Sequence, residues 1–136
     1  MKITVETRAR APIERVWQAY TTPEDIMQWN AASEDWHTTR AQVDLREGGA
    51  FSFRMEAKDG SVAFDFAGTY MKVVPHRLIE YSMADGRAAR VEFSPAPGAV
   101  AVTVTFDGEA SHSTEQQRYG WQAILDNFAR YVEGQR

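Results

Sequence analysis

The chain contains no cysteine, so disulfide bonds, thiolate metal sites and cysteine nucleophiles are excluded. No apolar run approaches the ~20 residues needed to span a membrane, and no signal-like apolar segment follows Met1. No cluster of lysine and arginine interrupts a sequence whose formal net charge is −4. A nucleic-acid partner is therefore not expected. Together these absences predict a cytoplasmic protein without a membrane span.

Recognisable metal, cofactor and nucleophile motifs are also missing. The three histidines lie in separate segments, without the His-x-His or His-x-x-x-His spacing of many metal sites. No glycine-rich phosphate loop precedes a predicted helix, and no serine lies in a nucleophile-elbow pattern. We therefore expect no metal ion and no intrinsic cofactor.

The chain does have a long amphipathic segment near its C-terminal end. Between Ser113 and Gly134, apolar residues recur at spacings of three and four, as on one face of an α-helix. They are Trp121, Ile124, Leu125, Phe128, Tyr131 and Val132. Ser113 with Gln116, or Thr114 with Gln117, matches a capping box, and Gly134 is typical of a helix end. A helix of ~20 residues is about 30 Å long, so we expect the rest of the chain to pack around it.

The N-terminal part of the chain predicts one strand followed by two helices. Alternating apolar residues from Ile3 to Ala9 indicate a half-buried strand. Pro12 and Pro23 are each interpreted as the first residue of a helix, where a missing N–H has no cost. Thr22 would cap the second, shorter helix.

From Trp36 to Phe106 the apolar period becomes two, which indicates consecutive antiparallel strands. Asp59-Gly60 is a hairpin signal that would set Met55 opposite Phe64 and keep the apolar residues on one face. Further along, a plain two-residue loop at Asp85-Gly86 would split the apolar residues between the two faces.

A bulged turn would instead keep the apolar residues of this second hairpin on one face. A three-residue loop, Ala84-Asp85-Gly86 with Gly86 left-handed, places Ile79 opposite Val91 and Glu80 opposite Arg90, and we predict this turn. The predicted fold is therefore α+β with the order β-α-α-β(6)-α. An antiparallel sheet of about seven strands would curve around the long C-terminal helix.

This order of elements resembles the helix-grip fold of the START-like, or SRPBCC, superfamily. Several motifs also resemble the bacterial single-domain members of the heat-shock protein 90 ATPase activator homologue family. They are Asp44-Leu45-Arg46-Glu47-Gly48-Gly49, Asp59-Gly60, Gly68-Thr69-Tyr70 with Pro75, and Gly120-Trp121 with Leu125 and Tyr131. The resemblance covers nearly the whole chain and implies a single START-like domain over residues 1–136. It also implies a cavity between the sheet and the long helix, used by relatives to bind lipids, polyketides or other apolar molecules.

The faces that periodicity turns inward carry many large apolar side chains, and with two tryptophans near the second helix they form the predicted ligand-binding set. The set is Trp29, Trp36, Phe51, Phe53, Met55, Phe64, Phe66, Tyr70, Tyr81, Trp121 and Leu125. An aromatic-lined hollow suits an apolar ligand. The alternative is that these side chains simply fill a core and leave no room.

Three weak candidates for catalysis are His37, Asp35 and Glu56. His37 would point inward with Ala41 and Val43 if its strand runs unbroken back to Trp36, and an inward histidine near acids could be a general base. A structural histidine is the alternative. Glu56 would act only if the polar face of the sheet lined the hollow.

Three functions follow from these observations. The first is a binding protein for an apolar or amphipathic small molecule of the lipid, polyketide or aromatic type. The second, implied by the resemblance, is a polyketide cyclase-like or hydrolase-like enzyme that uses a polar group at the cavity. The third is a co-chaperone-type protein interaction, as in the eukaryotic namesake of the family. The sequence shows no clear exposed apolar surface that such an interaction would use. An exposed edge strand could also pair two copies into a homodimer.

Overall fold

One curled antiparallel sheet and a helix packed along it make up residues 1–134, the part of the chain that this computed structural model describes. The helices are α1 (Ile13–Thr21), α2 (Pro23–Trp29) and α3 (Thr114–Val132). The strands are β1 (Lys2–Ala9), β2 (Trp36–Val43), β3 (Ala50–Ala57), β4 (Ala63–Val74), β5 (Leu78–Met83), β6 (Ala88–Ala96) and β7 (Ala99–Asp107). The strand order in the sheet is β1-β7-β6-β5-β4-β3-β2. The predicted α+β helix-grip fold, with the order β-α-α-β(6)-α, is confirmed.

The hairpin registers predicted from turn chemistry are both present. Met55 pairs with Phe64 across β3 and β4, and Gly60 in the connecting loop has a φ of 80°. Ile79 pairs with Val91 across β5 and β6, and Gly86 has a φ of 91° in the bulged turn. A positive φ is readily adopted by glycine because it has no Cβ. These two turns therefore place the apolar residues of four strands on one face.

Strand β2 departs from the expected alternation. Its register with β3 shifts between Thr38 and Arg40, which leaves Thr39 as an extra residue in a bulge. Thr38 consequently faces inward opposite Met55 and is only 5% exposed, whereas His37 pairs with Glu56 on the outer face. The expectation that His37 points inward is wrong, because one extra residue reverses the facing of every side chain before it.

The ends of α3 follow the predicted capping chemistry. The Ser113 hydroxyl accepts a hydrogen bond from the Gln116 N–H at 3.1 Å, and the Gln116 side chain accepts one from the Ser113 N–H at 3.1 Å. Of the two capping boxes considered, the one at Ser113 forms. At the other end Gly134 has a φ of 84°, and its N–H donates to the carbonyl of Tyr131. The helix therefore ends where the glycine was expected to end it.

The two N-terminal helices differ slightly from the prediction. Helix α2 begins at Pro23 as expected, although the Thr22 side chain makes no capping hydrogen bond. Helix α1 begins one residue later than expected, because Pro12 has an extended ψ of 152° and so precedes the first turn. None of the helices within residues 1–134 combines the length and the hydropathy needed to cross a membrane.

The core lies where α3 crosses the inner face of the sheet near β1 and β7. Ile3, Phe106 and Phe128 are fully buried there, and Val16 of α1 closes one side. Burying one such side chain contributes roughly 1.5–3 kcal/mol. This packing holds one part of α3 against the sheet, and the cavity described below lies beside it.

Candidate functional site

A cavity of about 420 Å³ lies between the inner face of the sheet and α3. All of the residues predicted to contact a ligand line it, from Trp29 and Trp36 to Trp121 and Leu125. Their role in binding stays a prediction. Most of these residues also belong to or pack against the core, Trp36, Met55 and Phe64 being the exceptions, so the inward face is partly filled and partly hollow. A volume of this size falls within the range of small-molecule pockets, about 300–1,000 Å³.

The sheet wall of the cavity is built around Phe51. Its ring centroid lies 5.3 Å from that of Phe53 and 5.9 Å from that of Phe66, in tilted arrangements. Gly68 on β4 makes room for it, since a Cβ there would lie 2.9 Å from the Phe51 ring and 2.1 Å from the carbonyl oxygen of Ser82. The glycine therefore lets the neighbouring strand approach the aromatic cluster closely.

The helix wall of the cavity is set by Trp121. Its ring stacks on Phe106 with centroids 3.9 Å apart and planes 10° apart, and it meets Phe66 edge-on at 6.2 Å. Gly120, one residue earlier in α3, also lines the cavity, and a Cβ built there would meet nothing within 4 Å. The absent side chain thus leaves open space at this point of α3.

The inner end of the cavity is closed by α1 and α2. Tyr20 packs against Trp29 and Phe128 with both centroid distances at 5.2 Å, and Trp29 meets Phe128 edge-on at 4.9 Å. The indole Nε1 of Trp29 donates to the carbonyl of Ala19 at 2.9 Å. This bond satisfies the polar atom of a buried tryptophan and fixes its orientation.

The opposite end of the cavity is its mouth, which we define by Ala32, Trp36, Phe64 and Gln116. Phe64 is 45% exposed, and Ala32 and Gln116 are exposed as well. The ring of Trp36 meets that of Phe64 edge-on at 5.9 Å. The loop after α2 therefore contributes to the mouth, and an apolar ring is accessible there.

Several lining residues were not among the predicted set. They are Tyr20, Asn30, Ala32, Ile79, Val104, Gln116, Gln117, Gly120 and Ile124. For some of them the apolar periodicity of the sequence indicates an inward position. Tyr20 and Ile124 lie on the apolar faces of helical segments, and Ile79 and Val104 lie on the apolar faces of strands. The glutamines and Asn30 gave no such indication, because polar residues near element ends are usually exposed.

The candidate catalytic side chains lie away from the cavity. Asp35 is in an exposed loop, and Glu56, on the outer face, accepts a hydrogen bond from the Thr39 hydroxyl at 3.0 Å. His37 pairs with Glu56 in the register of the outer face. No aspartate, glutamate, lysine, arginine or histidine within residues 1–134 lines the cavity. The arrangement can enclose an uncharged apolar molecule, but it brings none of these acid–base candidates to it.

A second hollow of about 460 Å³ lies on the outer face of β2, β3 and β4. It is polar, and Arg54 at its centre lies 3.4 Å from Asp65 and 3.5 Å from Glu56. Such exposed pairs contribute little to stability, about 0–1 kcal/mol each. Across residues 1–134 no three histidine, aspartate or glutamate side chains are grouped so as to hold a metal ion.

Comparison with known proteins identifies relatives of the chain. The family model described as "Activator of Hsp90 ATPase homolog 1-like protein" matches residues 10–133. The solution structure of an AHSA1-like protein from Aeromonas hydrophila is 51% identical, covers 98% of this chain and 93% of its own, and superposes with a TM-score of 0.92.

Two further solved structures have the same architecture. A protein from Cytophaga hutchinsonii is 45% identical with a TM-score of 0.85, covering 98% of this chain and 92% of its own. A protein from Chromobacterium violaceum is 24% identical with a TM-score of 0.87 and 98% coverage of both chains, a likeness that shows the fold alone. None of the curated proteins compared with the chain matches it.

Proposed function

The chain belongs to the activator of Hsp90 ATPase homologue 1-like family of the START-like superfamily, and we propose that it binds an apolar or amphipathic small molecule. The binding site is the cavity between the sheet and α3, and its occupant is of the lipid, polyketide or aromatic type. The observation that carries this proposal is the cavity itself, about 420 Å³ with aromatic walls and no charged side chain among the described residues.

The distribution of glycine and aromatic residues supports the proposal. Gly120 leaves open space in the cavity wall, although glycine inside a helix costs about 0.5–1 kcal/mol relative to alanine. The neighbouring Trp121 stacks on Phe106, so packing within the protein positions its ring in the cavity wall. A preformed apolar hollow loses little free energy to ordering when a ligand enters.

The two other functions have less support. An enzyme of the cyclase or hydrolase type would need an acid or base at the cavity, and His37, Asp35 and Glu56 do not line it. A co-chaperone-type interaction would need a large exposed apolar surface. The exposed large apolar residues include Met27, Val62 and Met71, which lie on three different elements or loops.

The proposal is tested by thermal shift together with tryptophan fluorescence. Fatty acids, sterols and uncharged aromatic polyketides are each added to the purified protein. A ligand at 100 times its dissociation constant adds about 2.7 kcal/mol of stability, which raises Tm by roughly 8–14 °C at about 3–5 °C per kcal/mol for a domain of this size. Trp29, Trp36 and Trp121 line the cavity, so binding should also change the fluorescence.

A matched pair of variants tests whether binding occurs in this cavity. Gly120→Leu adds a side chain to the open space, so it should weaken binding of any ligand found by at least about tenfold. Tyr119→Leu is the control, because Tyr119 is 77% exposed on the same helix and does not line the cavity. No thermal shift with any ligand class, or equal binding by both variants, would contradict the proposed function.

A further inference from the structure

Asn30, two glutamines and three tyrosines are among the polar residues that line the cavity. The Asn30 amide nitrogen lies 3.9 Å from the sulfur of Met55, and the glutamines form a first set whose contacts lie within the protein. The Gln116 side chain belongs to the capping box of α3. The Gln117 amide donates to the carbonyls of Glu109 and His112, each at 3.0 Å, and accepts from the Glu109 N–H at 2.8 Å. These glutamines hold the N-terminal turn of α3 in place through the Oε1 atom of Gln116 and both side-chain polar atoms of Gln117.

The second set consists of Tyr20, Tyr70 and Tyr81. Tyr70 and Tyr81 pair directly across β4 and β5 and are 6% and 8% exposed, and Tyr20 reaches the same cavity from α1. Among residues 1–134 no hydrogen bond joins any of the three hydroxyls to another group. That part of the chain nevertheless contains no fully shielded side-chain nitrogen or oxygen without a partner. The hydroxyls therefore reach the open space of the cavity, where each can donate one hydrogen bond and accept others.

The surroundings of the three hydroxyls raise their pKa values. Burial raises the pKa of Tyr20, Tyr70 and Tyr81 well above the ordinary value for a phenol. A charge on Tyr70 would raise the pKa of Tyr20 further, and charges on Tyr20 and Tyr70 would raise that of Tyr81. All three are consequently neutral at physiological pH and available as hydrogen-bond donors.

The charge of the surroundings restricts what these donors can bind. Because no acidic or basic side chain of the described residues lines the cavity, an ionised ligand group there would have no counter-charge. The free-energy cost of removing an ion from water without such a partner is larger than the stabilisation that neutral hydrogen bonds provide. The free-energy cost of removing an uncharged oxygen from water, as in a ketone, ester, ether or hydroxyl group, is much smaller.

We propose that Tyr20, Tyr70 and Tyr81 form a hydrogen-bonding subsite for an uncharged oxygen atom of the ligand, with the aromatic walls around Phe51 and Trp121 holding the apolar remainder. This rests on the proposed function and makes its ligand class more specific. The cavity selects neutral oxygenated molecules with an apolar, ring-containing body over molecules whose polar group is an ionised carboxylate.

Three probes of nearly the same shape test the subsite on the intact chain. Benzophenone carries a carbonyl between two rings, 1,1-diphenylethylene replaces that oxygen by a methylene group, and diphenylacetate carries an ionised carboxylate. Dissociation constants are measured by tryptophan fluorescence. Benzophenone should bind at least about tenfold more tightly than diphenylacetate, because the carboxylate would be buried without a counter-charge.

Conservative variants then separate the hydroxyls from the rings. Tyr70→Phe and Tyr81→Phe should each weaken benzophenone binding about fivefold, the equivalent of one neutral hydrogen bond, while 1,1-diphenylethylene binding changes by less than about twofold. Tyr119→Phe is the control, since that tyrosine is 77% exposed and outside the cavity. The infrared carbonyl stretch of bound benzophenone should be lowered by hydrogen bonding and should rise in the double variant Tyr70→Phe/Tyr81→Phe.

The outcomes distinguish the subsite from the cavity as a whole. If both benzophenone and 1,1-diphenylethylene bind but the phenylalanine variants and the infrared stretch show no change, the subsite is wrong and cavity binding stands. Tighter binding of diphenylacetate than of benzophenone overturns the selection of neutral ligands. If none of the three probes binds, the proposed subsite is wrong, and the proposed function is contradicted for compact aromatic ligands.

Discussion

At the level of single residues, Gly68 of β4, which packs against Phe51, and Gly120 of α3, which lines the cavity, have opposite surroundings. A Cβ at Gly68 would lie 2.1 Å from a backbone carbonyl oxygen and 2.9 Å from the ring of Phe51, whereas a Cβ at Gly120 would meet nothing within 4 Å. One position therefore needs glycine for packing. The other leaves space that alanine could occupy without a clash.

Alanine at these two positions should change stability in opposite directions. Gly68→Ala is expected to lower the free energy of unfolding by about 1–3 kcal/mol, because the added methyl group overpacks two strands and an aromatic ring. Gly120→Ala is expected to raise it by about 0.5–1 kcal/mol, since alanine is the better helix former. Urea denaturation measures both, and each variant is the control for the other. A loss of stability in Gly120→Ala would show that the helix wall is packed at that point.

At the scale of elements, α3 depends on how its first turn is capped. Ser113 accepts a hydrogen bond from the N–H of Gln116, whereas Thr114 is already the first helical residue and its hydroxyl contacts the sulfur of Met1. The first N–H groups of a helix have no acceptor within the helix, so a side chain that accepts a hydrogen bond from one of them stabilises the helix. The two candidate capping residues therefore differ in structural role although they are neighbours in sequence.

Replacing these neighbours by alanine should separate the two roles. Ser113→Ala is expected to lower the free energy of unfolding by about 1 kcal/mol through loss of the cap. Thr114→Ala, the matched control, should change it by less than about 0.5 kcal/mol. Thermal denaturation followed by circular dichroism measures both. Equal effects would mean that the capping box contributes nothing specific.

Asp107 joins three strands at one corner of the sheet. Its carboxylate lies 2.7 Å from the Lys2 ammonium of β1 and accepts a hydrogen bond from the N–H of Ala88 of β6 at 2.9 Å. The hydrogen bond from Lys2 and the one from the Ala88 N–H hold the pKa of Asp107 below its usual range. A carboxyl whose pKa is lower when folded stabilises the fold above its unfolded pKa, near 4, and loses that contribution as the pH falls.

Asp107→Asn should therefore destabilise the protein in a pH-dependent way. At pH 7 the expected loss in the free energy of unfolding is about 1 kcal/mol, and the gap between the variant and the parent protein should close as the pH drops below about 4. Urea denaturation between pH 3 and 7 measures it. Asp65→Asn is the control, because its pair with Arg54 at 3.4 Å is largely exposed. A difference that stays constant with pH would contradict the role of the charge.

At the scale of the whole molecule, the sheet, the helices and the cavity share one set of core residues. Phe128 of α3 contacts Tyr20 of α1 and Trp29 of α2, while Trp121 of the same helix stacks on Phe106 of β7. We propose on this basis that residues 1–136 fold as a single domain. Parts that share a core are expected to unfold together.

A single unfolding transition is the corresponding prediction. Tryptophan fluorescence reports on Trp17, Trp29, Trp36 and Trp121, which lie on α1, α2, β2 and α3, and far-ultraviolet circular dichroism reports on all helices and strands. The two midpoints in urea should coincide, as in a two-state protein. Separate midpoints would show that one part of the chain unfolds independently.

Much of this architecture was predictable because its determinants are local. The alternation of apolar residues and the glycine turns at Gly60 and Gly86 set the strand registers without reference to the rest of the chain. The bulge at Thr39 was not predictable, since an extra residue changes neither composition nor the pattern on either side of it. The prediction that the His37 side chain points inward was wrong for that reason alone.

Local sequence patterns were enough to predict which elements form, how the hairpins register and which aromatic side chains point inward. The tertiary structure adds that those side chains leave about 420 Å³ unfilled and that Tyr20, Tyr70 and Tyr81 all line this space. Periodicity assigns a side chain to a face, which is a property of neighbouring residues. A cavity is instead the difference between the space separating the sheet from α3 and the volume of the side chains between them. That difference depends on the curl of the sheet and on contacts between residues far apart in the chain.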